Sequence, residues 1–275
     1  MEIVKGVHQI RADFQVTPEV RRYAFCYLIV GEDCWLVDSG VAGCDQVILQ
    51  TMADLGKEPR QLRGLFLTHA HPDHIGGGAA LRRRTGCAVY ASAGESPWIE
   101  NLKLQYEKRP IPNFFALAAE GVPVDRLVKG GDTLSLESGL TLEVIATPGH
   151  SADGLSFRLA EKGVVFTGDA IPAPGDVPIY EDWQASLHSL ETLRNVAADW
   201  FCPAWDKVYT RQEALAVIAQ GEALIGGIQR TVAGLESTCP TPDKLVDAVC
   251  ARLGRPQLRE HPLFRRTVAC HRKKD

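Results

Sequence analysis

The sequence predicts an α/β (α+β) fold with a helical extension at its C-terminal end. Up to Tyr209, short apolar or alternating runs recur between turn-rich stretches, the mark of strands in series. Segments with helical apolar spacing lie between several of these runs. Beyond Tyr209 the pattern is helical.

Val7 to Arg11, Phe25 to Val30 and Cys34 to Val37 read as strands, with Gly31-Glu32-Asp33 turning the chain between the last two. Gln46 to Leu55 has the spacing of a helix. Leu62 to Leu67 is a compact apolar run and reads as a buried strand. A helix follows from Asp73, its expected cap, to Arg84, and then a strand from Cys87 to Ala91. Residues 92–124 are bulky and helix-compatible, with Trp98, Tyr106, Phe114 and Phe115, and are broken by Pro110 and Pro112. They read as a helical insertion lying over a site. Strands resume at Arg126 to Val128, Leu140 to Ala146, Leu155 to Leu159 and Val164 to Phe166, and Trp183 to Val196 is an amphipathic helix.

In the last part Leu215, Ile218, Ile225, Ile228, Val232 and Leu235 mark one face of a long helix. Gly221, Gly226 and Gly227 either weaken that helix or mark a close contact. Thr241-Pro242-Asp243 is a helix start, with Thr as cap and Pro at the first position, and Gly254 is a stop. Residues 1–209 thus read as the main domain. Residues 210–275 read as an extension packed on it, because about 65 residues are marginal for folding alone.

The chain has 275 residues, 45% hydrophobic and 23% charged, which excludes a disordered, collagen-like or coiled-coil protein. Its 30 lysines and arginines stand against 34 acids, so charge gives no support to nucleic-acid binding. No apolar run approaches the roughly 20 residues of a membrane span, and the start of the chain lacks the pattern of a signal peptide. The eight cysteines, Cys239 among them, are scattered without a CxxC pair and read as buried reduced thiols, hence a cytoplasmic protein.

One segment carries the chemistry: Thr68-His69-Ala70-His71-Pro72-Asp73-His74-Ile75-Gly76-Gly77. Three of the eight histidines and a carboxylate follow a buried strand at the mouth of a helix. Residues two apart in extended chain face the same way, so His69 and His71 can grip one ion. Asp73 and His74 lie past a proline bend and suit a second ion. Neutral imidazoles and carboxylates are ligands that zinc, iron or manganese accept. Gly76, Gly77 and Gly78 permit close packing of the helix start.

HAHPDH resembles the HxHxDH signature of the metallo-β-lactamase superfamily. Other stretches resemble its remaining landmarks in order: Leu36-Val37-Asp38-Ser39-Gly40, Thr147-Pro148-Gly149-His150 and Thr167-Gly168-Asp169. The resemblance spans residues 7 to 209 and implies a four-layer αββα sandwich, with the catalytic metals at one edge between two sheets. It implies His69, His71 and His150 as ligands of the first ion, Asp73 and His74 as ligands of the second, and Asp169 as the bridge. Asp38 would orient ligands, or be a plain turn-forming aspartate. The family usually ends the site with a late histidine, but Trp205 stands at the matching place within Pro203-Ala204-Trp205-Asp206. Asp206 could supply an oxygen ligand instead, or be a solvent-facing loop residue; Cys202 is a further candidate. Tyr180 could donate to a developing oxyanion, or serve packing.

The expected activity is hydrolysis by metal-bound hydroxide at the ester, thioester or lactone carbonyl of a small molecule. Two divalent ions are expected, zinc first, with iron or manganese as alternatives. A non-heme iron oxygenase of the persulfide dioxygenase kind is the alternative reading on the same fold. The expected partners are a small-molecule substrate and a second copy in a homodimer, without nucleic acid or membrane.

Overall fold

The computed structural model describes residues 1–17, 19–137, 139–235 and 241–272. Cys239 and the basic Lys273-Lys274 end lie outside the described residues. Strands β1 (Glu2–Val4), β2 (Val7–Thr17), β3 (Val20–Val30) and β4 (Cys34–Val37) open the chain. Helix α1 (Cys44–Asp54) leads to β5 (Leu62–Phe66), and α2 (Pro72–Ile75) with α3 (Gly78–Thr85) leads to β6 (Ala88–Ala91). Short helices α4 (Ser96–Glu100), α5 (Leu102–Lys108) and α6 (Phe114–Leu117) precede β7 (Arg126–Leu127). The second half holds β8 (Thr133–Glu137), β9 (Leu140–Ala146), β10 (Leu155–Leu159), β11 (Val164–Gly168), α7 (Trp183–Asn195), β12 (Trp200–Pro203) and β13 (Tyr209–Thr210). Helices α8 (Arg211–Leu235), α9 (Pro242–Arg252) and α10 (Pro262–Cys270) close it.

The first sheet runs β1-β2-β3-β4-β5-β6-β7 and the second β13-β12-β11-β10-β9-β8. β4, β5, β6 and β7 are parallel, because helices carry the chain back between the first three of them. The second sheet is antiparallel except where β12 lies parallel to β11, again after a helix, α7.

The run Ala24-Phe25-Cys26-Tyr27-Leu28-Ile29 is buried on both faces, as a strand sandwiched between layers must be. Its alternate residues serve different cores. Cys26 and Leu28 join Leu36, Ile48, Met52 and Leu65 beneath the outer helices. Tyr27 and Ile29 join Trp35, Phe66, Phe157 and Phe166 between the sheets. On the far side Val165 and Phe201 pack with Leu190 of α7 and with Ile218, Ile225 and Ile228 of α8. Three apolar layers thus separate four layers of structure, an αββα sandwich. Of the apolar face read on α8, Ile218, Ile225, Ile228 and Val232 are buried there and Leu235 is partly so, and Gly221 lets α8 approach Leu190 and Pro172 closely.

Several elements depart from expectation. β2 and β3 run on to Thr17 and back from Val20, well beyond the apolar part of each strand. In this outer ribbon Arg11 bonds Asp13 of its own strand and lies over the Tyr23 ring of the facing strand, so the residues are polar and aromatic without apolar alternation. The helix expected over 73–84 is two helices, divided at Gly76-Gly77. Asp73 does not cap it: His71 holds the cap position of α2, and Asp73 sits in the first turn with its carboxylate free for the site. β8, β12, β13 and α10 were not legible: β8 is a half-exposed edge strand, β13 has two residues, and α10 starts on a histidine that gives no side-chain cap. Thr241 caps α9 by accepting a hydrogen bond from the Lys244 amide. The described cysteines are free thiols, and all but Cys270 are buried.

The glycines after His74 are required by contact: Gly78 approaches Leu65 of β5, and Gly76 and Gly77 approach backbone of α6 and of the loop after β4. A Cβ on Gly76 would stand 2.1 Å from the Leu117 carbonyl oxygen and 2.6 Å from the Ala42 amide nitrogen. One on Gly77 would stand 2.4 Å from the Ser39 carbonyl oxygen. Gly76→Ala is therefore expected to destabilise the fold by about 1–3 kcal/mol through overpacking, seen as a lower urea midpoint at unchanged m-value.

Candidate metal centre

The chemistry-bearing residues hang from strand ends at one edge of the sandwich. Asp38 follows β4, His69 and His71 lie between β5 and α2, and His74 lies within α2. From the second sheet, His150 lies on the loop joining β9 to β10, Asp169 follows β11 and Trp205 follows β12. A hydrogen bond from the Leu155 amide to the Thr68 carbonyl, 2.8 Å, ties the two sheets together at this edge.

His69, His71, His150 and Asp169 each offer one donor atom, all within 4.8 Å of one another, a group that can hold a metal ion. His69 Nε2 and His150 Nε2 each approach His71 Nδ1 to 2.9 Å, and His150 Nε2 lies 3.3 Å from Asp169 Oδ2. His74 Nε2 stands 3.3 Å from Asp169 Oδ1 and 3.8 Å from Asp73 Oδ2.

Hydrogen bonds on the outer side fix which ring nitrogens carry protons. The buried Asp38 carboxylate accepts from the Thr68 amide at 2.8 Å and from the Thr68 hydroxyl at 2.9 Å. With its one hydrogen committed to Asp38, the Thr68 hydroxyl accepts from His69 Nδ1–H at 3.0 Å. His74 Nδ1–H donates to Asp38 Oδ2 at 2.8 Å, and His150 Nδ1–H donates to the Ile179 carbonyl at 2.8 Å. In the neutral rings the Nε2 atoms of His69, His74 and His150 are left as lone pairs facing inward. This is how metal-ligating imidazoles are held.

Burial pushes the His69, His71 and His150 imidazoles below their ordinary pKa and keeps them in the neutral, ligating form. Burial acts the same way on His74, but Asp169, Asp38 and Asp73 together outweigh it and hold that ring well above its ordinary value. Burial alone would raise Asp169; the His74 and His150 rings pull it well below the usual carboxylate range instead. The acids therefore demand a positive charge at this spot, which a proton or a metal cation can supply. His74 Nε2 is buried and has no hydrogen-bond partner among the described residues, which fits a cation-binding role.

Other predicted residues lie elsewhere. Asp73 is beside the group, on the wall of the adjoining cavity. The Asp206 side chain is exposed and accepts from the Tyr209 hydroxyl, so the structure does not bring it to the centre. The Tyr180 hydroxyl is buried against His271 Nε2 at 2.8 Å, among the C-terminal helices. Cys202 is buried between the sheets, where desolvation raises its thiol well above the ordinary range.

Contacts that sequence reasoning missed complete the edge. Trp205 Nε1–H donates to Asp169 Oδ1 at 2.8 Å, and Arg22 stacks on the Trp205 ring at 4.5 Å. Within the helical insertion, Glu95 accepts from the Ala70 amide at 2.9 Å and Gln105 donates to the Ala70 carbonyl at 2.5 Å. Both side chains are buried and hold the loop between His69 and His71. These partners lie 25 and 35 residues from Ala70, so no local spacing announces them.

A cavity of about 490 Å³ opens onto the group, with His71, Asp73, His150 and Asp169 in its lining. Its walls are mostly apolar, from Phe14, Val16 and Val20 of the β2–β3 ribbon, Ile111 and Leu117 of the insertion, and Leu263 of α10. Such a site accepts a small molecule with an apolar part.

Comparison with known proteins places the chain. Hydroxyacylglutathione hydrolases of Brucella ovis and Brucella abortus are each 35% identical over 137 residues, 49% of this chain and 44% of theirs. The chain thus matches less than half the length of these curated relatives. A metallo-beta-lactamase family protein from Thermus thermophilus shares the fold with a TM-score of 0.74 at 19% identity, over 98% of this chain and 93% of that one. A beta-lactamase domain protein from Burkholderia ambifaria does so with a TM-score of 0.76 at 18% identity, over 98% and 86%. Residues 20–205, well over half the chain, match the family model of the metallo-beta-lactamase superfamily, and the chain belongs to that superfamily.

Proposed function

We propose that this protein is a metal-dependent hydrolase acting on the ester, thioester or lactone carbonyl of a small molecule. The observation that carries the reading is the inward set of imidazole lone pairs and carboxylates, fixed from behind, at the floor of an apolar cavity. Its relatives named as hydroxyacylglutathione hydrolases support thioesters within this class. The nitrogen-rich donor set His69, His71, His150 and Asp169 favours zinc, with iron or manganese also compatible. His74, Asp73 and Asp169 Oδ1 would form a second, weaker position, because the Trp205 N–H already engages that oxygen.

When bound, a divalent ion supplies Lewis acidity, lowering the pKa of water toward about 7 and polarising a carbonyl. The chain does the rest. Asp38, through Thr68, His69 and His74, keeps the donor atoms aimed. The apolar walls hold the substrate and exclude bulk water. Asp73, beside the floor, takes the proton of the water that attacks the carbonyl carbon. It passes that proton to the leaving alcohol or thiol as the C–O or C–S bond breaks. No helix of the described residues is long and apolar enough to cross a membrane, and the buried free thiols support a reducing, cytoplasmic setting.

His69→Ala is expected to abolish metal content and turnover of an ester and thioester panel together, read by elemental analysis and steady-state assay. His188, exposed on α7, is the control, and His188→Ala should change neither. An inactive but folded, metal-loaded His188→Ala would sink the placement of the site. Asp38→Asn keeps the shape but offers a donor where the Thr68 and His74 donors need an acceptor. It should weaken metal binding about 10–100-fold in a competition titration. Stripping the metal with a chelator should lower the melting temperature and end turnover, and zinc should restore both. Oxygen consumption with persulfide, in place of hydrolysis, would overturn the reading.

A further inference from the structure

Arg109 follows α5 and is only 4% exposed. A guanidinium carries five N–H donors, yet among the described residues no hydrogen bond from this one is found. Its ion pair is with Glu181, Nε to Oε1 at 3.9 Å, and Glu181 is shared with Arg266 at 3.4 Å. Two cations therefore divide one carboxylate. Burial pulls the Arg109 pKa down to about 10, with Glu181 opposing, so the group stays charged at neutral pH. The contrast is Arg22, the other arginine on the cavity wall. Its donors meet both Asp176 oxygens, at 3.2 and 2.5 Å. No Arg109 nitrogen is among the fully buried unpartnered atoms, so its unspent donors open on the cavity, where a ligand can complete them.

Arg109 lines the same cavity as His71, Asp73, His150 and Asp169. Ile111 and Pro112, near it in the chain, and Leu117 and Leu263 give the same cavity apolar walls, while Asp73 and Asp169 of the floor join Glu181 in favouring its charge. One planar cation set in an apolar wall matches a planar monoanion, since guanidinium and carboxylate pair through two parallel hydrogen bonds. A phosphate would call for further donors, whereas the remaining charged groups of the wall include Asp73, Asp176 and Glu260.

We propose that Arg109 is the residue that recognises the substrate, and that it does so through a free carboxylate. The substrate class is then an ester or thioester carrying a second, unreacting carboxylate on a short apolar skeleton. The reaction part of this statement rests on the hydrolase reading; the anion site does not.

The test uses matched probes that differ in one carboxylate. Adipamate and hexanamide are compared by calorimetric binding to the metal-loaded protein. The mono-p-nitrophenyl ester of glutaric acid and p-nitrophenyl pentanoate are compared as substrates. The wild type should favour the carboxylate member of each pair by about tenfold or more, the scale of a charge-assisted hydrogen bond. Arg109→Met should erase the preference, through KM for the esters, and leave the neutral probes within about threefold, the metal content being unchanged. Should Arg109→Met fail to fold, Arg109→Lys decides: the charge stays but the fork is lost, so adipamate should weaken at least threefold while hexanamide does not. Equal binding of both amides to the wild type, or an equal loss of both in a folded variant, would overturn the anion site. Inorganic phosphate displacing adipamate at lower concentration than acetate would overturn the assignment to a carboxylate. If neither ester is turned over but adipamate binding depends on Arg109, the hydrolase reading fails and the anion site stands.

Discussion

Imidazole lone pairs and carboxylate oxygens crowded into a buried space repel one another unless a positive charge lies among them. That constraint organises one edge of this protein. His69, His71 and His150 are kept neutral by burial, while the acids around His74 draw a proton to that ring in spite of burial. Three of the rings are gripped from behind: His69 by Thr68, His74 by Asp38 and His150 by the Ile179 carbonyl. Asp38 itself sits in the left-handed region, at φ 58°, where a non-glycine residue is uncommon. Its side chain accepts three hydrogen bonds there, and its amide donates to the Phe66 carbonyl. A backbone turn of that kind persists when its surroundings over-determine it.

The legible part of this design was local. His69, His71, Asp73 and His74 lie within one loop and one helical turn, so their spacing speaks directly for metal chemistry. His150 and Asp169 were legible by their resemblance to motifs and by their place after strands. The four layers were half-legible. The doubly buried run of β3 demands cover on both faces, but nothing local says that Tyr27 meets Phe166 across the sheets. What stayed hidden depends on distance in sequence. The Trp205 contact with Asp169, the grip of Glu95 and Gln105 on Ala70 and the ion pair of Arg109 with Glu181 each join residues far apart in the chain. The outer β2–β3 ribbon was hidden for another reason: its contacts are polar and aromatic, Arg11 with Asp13 along one strand, Tyr23 with Phe25 along the other and Arg11 over Tyr23 between them, which leave no apolar rhythm to read.

The C-terminal helices are more than cover for the second sheet. Thr267 of α10 donates its hydroxyl to the Pro178 carbonyl and accepts from the Tyr180 amide. Arg255 donates to the carbonyls of Gly175 and Asp176. His271 stacks on Trp183 and bonds the Tyr180 hydroxyl and Gln229. These bonds brace the segment from Gly175 to Tyr180, which forms one cavity wall and presents the carbonyl that orients His150. Tyr180, which in sequence reads as an oxyanion donor or a packing residue, is thus a fastening between the segment after β11 and the C-terminal helices.

The floor of the cavity is built from strand ends that the sandwich core immobilises. Its sides come from three separate additions: the β2–β3 ribbon, the insertion bearing Arg109, and the helices after Tyr209. Some side chains of those additions reach the floor: Arg22 through Trp205, Glu95 and Gln105 through Ala70, and Thr267 through the segment that presents the Ile179 carbonyl. Others, such as Val16, Ile111 and Leu263, line only the walls among the described residues, so what the protein admits can drift at those positions while the first set stays tied to the chemistry.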